Sequence, residues 1–254
     1  MIPGPLLFAR FAFPPNRLGY CGPADDEALF QMATEGAPAA ELASVAPAFD
    51  GAYPYLQLIA AANGIGDPLD ARVVEAYWVG NPLLARVDMQ SMGAALDGRF
   101  RPRVDAPTWS LLAEAIPAGA VPHHSFHVFG VYPWVGLLRS GTVEHPLRVL
   151  DRCRIRWGVV RRVEGDSAIV ESRPLTWDGH ALGYGPLGEE TVTWARLGVA
   201  LSSQLKPGDT VAMHWDWICD RLSQQRLQRL RHWTTSQMNL VNGTRHPAPA
   251  AVLA

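Results

Sequence analysis

Residues 151–163, "DRCRIRWGVVRRV", decide the fold. Upstream of them the apolar residues recur at helical spacing. From Cys153 they alternate, with Cys153, Ile155, Trp157 and Val159 on one face and Arg154 and Arg156 on the other. A period of two predicts a strand with one buried face. The turn "EGD" (164–166) and the run "SAIVES" then complete a hairpin. A glycine-rich loop follows, then the strand "ETVTWAR", the turn "KPGD" and the strand "TVAMHWDW" (210–217). Several short strands closed by turns predict a small barrel. From Asp220 the helical period returns, with Leu227, Leu230 and Thr234 on one side and Arg226 and Arg229 on the other.

The segments before "EHPLRV" read as helices: "DDEALFQMATEG", "PAAELASVAPAF", "YPYLQLIAAANGIG", "DPLDARVVEAYWVG", "PLLARVDMQSMGAAL" and "APTWSLLAEAI". In the fourth, Asp67 suits the cap, Pro68 the first helical position and Asp70 the acidic end. The fold class expected is α+β: a mainly helical N-terminal domain (1–147), a small β-barrel with a C-terminal helix (148–241) and a flexible tail (242–254).

A chain of 254 residues, 48% hydrophobic and 18% charged, suits a globular protein with a substantial core. Arg10 and the Pro14–Pro15 pair interrupt the first twenty residues, which therefore do not read as an export signal. The longest apolar run, 128–138, is too short to span a bilayer and contains Pro133. The expectation is a cytoplasmic protein without a membrane segment. Three cysteines, Cys21, Cys153 and Cys219, make no disulfide framework, and the absence of a CxxC pair disfavours a structural thiolate zinc site. Residues 1–145 carry 8 basic and 14 acidic side chains and residues 146–254 carry 14 and 10, an asymmetry that suggests different partners for the two parts.

The ordered set from Cys153 resembles the HypC/HupF/HoxL family of hydrogenase-maturation chaperones. The frame "CRIRWGVV" places Gly158 and Val159 behind the cysteine. "EGDSAIV" follows, and "GDTVAMHWDWICDRL" supplies Gly208, Asp209, Val211, His214 and Trp217, with Leu222 entering a helix. The likeness covers roughly residues 150–233. It implies an OB-like β-barrel with a trailing helix and an accessory role, not an enzymatic one. The task implied is handling the Fe(CN)2(CO) fragment of [NiFe]-hydrogenases with a HypD-like scaffold or the hydrogenase large subunit as partner. It implies Cys153 as the iron-holding ligand, His214 as the other functional side chain, and supporting places for Arg154, Gly158, Asp209 and Trp217.

The chemistry suits those residue types. A thiolate is a soft donor for low-spin iron. Arg152, Arg154 and Arg156 are expected to lower the pKa of Cys153, and an imidazole nearby could hydrogen-bond the sulfur or a cyanide nitrogen. Strand parity places Cys153 and His214 on opposite faces, so they meet only at a rim or a bulge.

A second cluster lies in "VPHHSFHVFGVYPW" (121–134). On a helix His123 and His127 would share a face, with His124 between them. Three histidines in five residues are costly to bury without partners, so the cluster is expected near Cys21 or the barrel's cysteine edge. A Cys/His enzyme using Cys21 with His123, His124 and His127 is therefore one alternative. An OB-like nucleic-acid module is another, favoured by a net charge of +4 after residue 145 and by many tryptophans. The bland alternative treats Cys153 and Cys219 as small core fillers and the tryptophans as barrel packing.

Overall fold

The computed structural model describes residues 2–36, 39–101 and 118–243, with 109, 110, 113 and 116 between them. Most of the expected helix in 106–116, and the tail from 244, lie outside the described residues.

The helical part is built on α1 (Gly4–Arg17). Leu7, Phe8, Phe11, Ala12 and Phe13 are all buried, so α1 is a central helix and not an amphipathic surface one. Around it lie α2 (Asp26–Gln31), α3 (Ala39–Val45), α4 (Tyr53–Ala62), α5 (Ala71–Trp78) and α6 (Met89–Phe100). Asp70, not Asp67, caps α5: its carboxylate accepts the Arg72 N–H at 2.8 Å. Asp67 accepts the Leu69 N–H at 2.8 Å, in the turn before the helix. A one-turn helix, α7 (His124–Phe126), widens into a π-helical turn (His127–Val131) and is followed by α8 (Trp134–Arg139) and α9 (Glu144–Cys153).

The strands begin at β1 (Arg156–Glu164) and continue with β2 (Ser167–Ser172), β3 (Leu175–Trp177), β4 (Leu182–Tyr184), β5 (Gly188–Thr193), β6 (Ala195–Arg196), β7 (Val199–Ala200), β8 (Thr210–His214) and β9 (Trp217–Arg221). Five of them close on themselves in the order β1-β2-β5-β9-β8. The pairings are antiparallel except for the single parallel pair Thr193–Trp217 between β5 and β9. Helix α10 (Gln224–Gly243) ends the described chain. The α+β class and the order of helical part, barrel and terminal helix follow the sequence reading.

Three details differ from it. "TVAMHWDW" is not one strand but the first arm of the β8–β9 hairpin, turned at Trp215, whose φ is +53°. The helix accordingly starts at Gln224, because Asp220 still belongs to β9. Cys153 is not a strand residue at all. It is the last residue of α9, where Pro146, Val149 and Leu150 bury one face, and the extended backbone starts only at Arg154. The parity of β1 is therefore reversed: Arg156, Gly158 and Val160 are its buried residues, and Trp157 and Val159 are half-buried. Trp157 packs outward, against Tyr184 at 5.7 Å between ring centres. Arg154 and Arg156, expected on the solvent face, are 1% and 2% exposed.

Gly158 sits on that buried face with no room for a side chain. A Cβ there would stand 2.4 Å from Val170 Cγ1 and 2.7 Å from the Glu171 carbonyl oxygen. Gly158→Ala is expected to lower the unfolding free energy by about 1–3 kcal/mol, readable as a reduced midpoint in urea.

The change of secondary structure near residue 147 is not a break in the core. Phe13 of α1 meets Trp217 of β9 edge-on at 5.1 Å. Ala212, Trp217, Cys219, Leu222, Leu227 and Leu230 belong to the same apolar cluster as α1, α4 and α5. Among the described residues, no helix is long and apolar enough to cross a membrane.

Candidate metal-ligating site

Where α1, α5, α7, the end of α9 and the end of β8 converge, His124, Cys153 and His214 come together. One potential ligand atom from each lies within 4.8 Å of the other two. They line a cavity of about 30 Å³ together with Cys21, His127 and Tyr77. As it stands that space holds a water-sized group, and it is partly open to one side.

His214 is held from the helical part. Its Nδ1 lies 2.7 Å from the carbonyl oxygen of Phe11 in α1. A carbonyl only accepts, so Nδ1 carries the proton and Nε2 carries the lone pair. Nε2 is buried and has no hydrogen-bond partner. The β8–β9 turn fixes this ring: the Trp215 N–H donates to the Arg152 carbonyl at 2.7 Å, and the Trp215 carbonyl accepts from Arg156. Tyr20 stacks on the Trp215 indole at 4.4 Å. A left-handed tryptophan backbone is strained and persists only when its surroundings over-determine it.

His124 enters from α7. Its Nε2 lies 2.8 Å from the Cys153 carbonyl oxygen and its Nδ1 3.2 Å from the Tyr77 hydroxyl. Tyr77 also donates to the Gly51 carbonyl at 2.9 Å. A carbonyl only accepts, so His124 Nε2 carries the proton and donates to Cys153, and its Nδ1 lone pair faces the Tyr77 hydroxyl, whose one proton has Nδ1 and the Gly51 carbonyl as acceptors.

Burial sets the charge state. It lowers His124 to about 4, and it pushes His214 well below the usual imidazole range, helped by neighbouring His124. Burial pushes the Cys153 thiol well above its ordinary value, and raises Cys21 to about 12. This corrects the expectation of an arginine-activated thiolate. The guanidiniums are engaged elsewhere: Arg154 with Asp151 at 2.9 Å and the Arg173 carbonyl at 2.8 Å, Arg156 with Glu190, and Arg152 with Glu190 at 2.7 Å. Without a cation, the site is a neutral thiol beside two neutral imidazoles.

The meeting of Cys153 with His214 needs no bulge at the cysteine, because Cys153 lies on a helix end outside the sheet. The other residues singled out in the sequence separate clearly. Cys21 and His127 line the cavity; the His127 ring packs against Tyr132 at 4.5 Å, and its Nδ1 is 3.4 Å from the Tyr55 hydroxyl. His123 and His127 do not form the ligand pair that their spacing suggested. His123 is the cap of α7, its Nδ1 accepting the Ser125 N–H at 3.1 Å, and burial lowers it to about 3. Arg154 stands over the Trp157 and Tyr184 rings. Asp209 accepts the Lys206 N–H at 3.0 Å in the turn before β8, and Trp217 packs into the helical part, so both are structural. Cys219 is fully buried core on β9. Tyr77 and Trp78, which flank His124, read in the sequence only as apolar positions of a helix; nothing there marks the Tyr77 hydroxyl.

No curated protein and no solved structure matches the chain. A family model does match, over residues 1–248, and so spans both the helical part and the barrel that the site joins. The chain belongs to the family described as "Family of unknown function (DUF6390)".

Proposed function

We propose that this protein is an accessory protein of [NiFe]-hydrogenase maturation, acting in the cytoplasm on the Fe(CN)2(CO) fragment as its substrate. Cys153 is the ligand that holds the iron and His214 the neighbour that orients it. A HypD-like scaffold or the hydrogenase large subunit is the partner that gives or receives it. The observation that carries this reading is the approach of Cys153 to His214. The two residues picked out by the chaperone-like pattern, sixty-one positions apart in sequence, belong to one ligand cluster.

The surroundings support ligand chemistry over nucleophilic chemistry. A half-buried thiol held protonated by its surroundings, beside neutral imidazoles, is a poor nucleophile at neutral pH. The same thiol, once deprotonated by a cation, is a strong soft donor. Cys21, raised to about 12, is likewise unsuited to act as an enzyme nucleophile. The nucleic-acid reading loses its main support, because Trp215 and Trp217 are buried and Arg154 and Arg156 are held inside the fold. Base stacking needs exposed rings on a basic face.

The test is purification of the full chain from a hydrogenase-expressing host, followed by infrared spectroscopy. Cyanide and carbonyl stretches on the wild type, absent from Cys153→Ala, are the expected result. A clean spectrum from wild-type protein that has co-purified with its partner would overturn the reading.

A further inference from the structure

The helical part does more than buttress the barrel. We infer that His124 joins Cys153 and His214 as a third protein ligand, and that the three bind a bare divalent transition-metal ion with a fourth position open to the cavity. The inference rests on the same site as the maturation reading but concerns the ion alone.

The donor set carries the argument. One thiol sulfur and two imidazole nitrogens suit borderline ions such as Fe2+, Co2+ and Zn2+, and carboxylates, which would favour Mg2+ or Ca2+, are not among the three. With metal–nitrogen bonds of about 2.0–2.1 Å and metal–sulfur bonds of about 2.3 Å, tetrahedral ligand atoms stand roughly 3.3–3.8 Å apart. The group, now within 4.8 Å, has to contract by about 1 Å. Three protein ligands beside a small cavity leave a fourth position open, in contrast to closed structural sites.

His214 already has the outer support that a metal ligand needs, and His124 gains it on binding. His214 donates through Nδ1 to the Phe11 carbonyl, leaving an unpartnered Nε2 lone pair in the buried interior. A ring N–H anchored on a backbone carbonyl fixes both tautomer and orientation. His124 must first give up the bond from its Nε2 to the Cys153 carbonyl; with the proton on Nδ1 it would donate to Tyr77 and Tyr77 to Gly51, and Nε2 would be released for the ion. On binding, the His124 proton moves from Nε2 to Nδ1. The Cys153 proton leaves to solvent, so a thiolate forms and no electron is transferred. Tyr77 is a positioning residue, acting through His124.

The experiment is a Co2+ titration of the metal-free, reduced full-length protein, followed by absorption. One equivalent should give the intense visible bands of four-coordinate cobalt and a thiolate-to-cobalt charge-transfer band. Cys153→Ser should lose the charge-transfer band. His124→Ala and His214→Ala should each weaken binding by more than about 10-fold, and Tyr77→Phe by about 10-fold. Cys219→Ala should change nothing. X-ray absorption of cobalt-loaded wild type keeps the test sound if an alanine variant misfolds: one sulfur and two imidazoles are expected. No stoichiometric binding, a charge-transfer band that survives Cys153→Ser, or a coordination shell with fewer than two imidazoles would overturn the inference. Cobalt binding of the expected kind with hydrogenase maturation untouched by the ligand variants would keep the metal site and remove the maturation reading. Maturation lost in Cys153→Ala with no cobalt bound by the wild type would do the reverse.

Discussion

Hydrogenase activity is expected to vanish in cells whose only copy of this protein carries Cys153→Ala, while the variant accumulates as folded protein. Removing one sulfur from the end of a helix leaves a small cavity, worth about 1 kcal/mol, and Cys153 is only partly buried. Function collapses because the neighbouring histidines cannot replace a soft anionic donor. His214→Ala should reduce maturation by about 10–100-fold, and Cys219→Ala should leave it unaffected. The readouts are hydrogenase activity in the lysate and the thermal midpoint of each purified variant. The reverse pattern, maturation intact in Cys153→Ala but the protein unstable, would make Cys153 a packing residue.

The second large effect is on stability. Glu190 of β5 accepts from Arg156, from Arg152 at 2.7 Å and from Ser172. Glu190→Ala would strand the Arg156 guanidinium, 2% exposed, without its counter-charge. Breaking a buried pair from one side costs about 3–5 kcal/mol, so the urea midpoint should fall steeply. Burial opposes the Glu190 charge, yet Arg156, Ser172 and Arg152 outweigh it and hold the carboxyl below its usual range. A depressed folded pKa gives stability that is present above the unfolded value and lost as pH falls through the folded one. Wild type should therefore lose stability below the ordinary carboxylate range, and Glu190→Gln, already weakened at neutral pH, should show a flatter acid limb.

The class of the fold was legible because period is a local signal: the helical repeats before residue 146 and the alternation after it both survive in the structure. The point of change was not. "EHPLRVLDRC" continues the helix through Cys153 because its buried positions Pro146, Val149 and Leu150 fit helical spacing, and β1 opens at Arg156 instead of Cys153, an odd shift of three residues that goes with its reversed facing. Helix α1 was invisible for the opposite reason. Its residues from Gly4 to Phe13 are apolar nearly all round, Arg10 apart, so no clear period appears, and tertiary burial explains why a segment containing Pro14-Pro15 is helical. Of the candidate site, Cys153 and His214 were read from a resemblance and His124 from a cluster. Their meeting depends on Phe11, Tyr77 and the Trp215 turn, contacts that link positions far apart in the chain.

The place of Cys153 on its helix bears on how the empty protein fares in a cell. Thiols that react readily with oxidants and alkylating agents sit at helix N-termini, where the dipole favours the anion. Cys153 ends α9, at the negative pole, and is further disfavoured by burial. The sulfur is chemically quiet until a cation arrives to replace its proton. On the proposed function, the thiol would thereby be shielded from peroxide and from adventitious disulfides while the site is empty, and the arrival of the cargo itself would switch the ligand on.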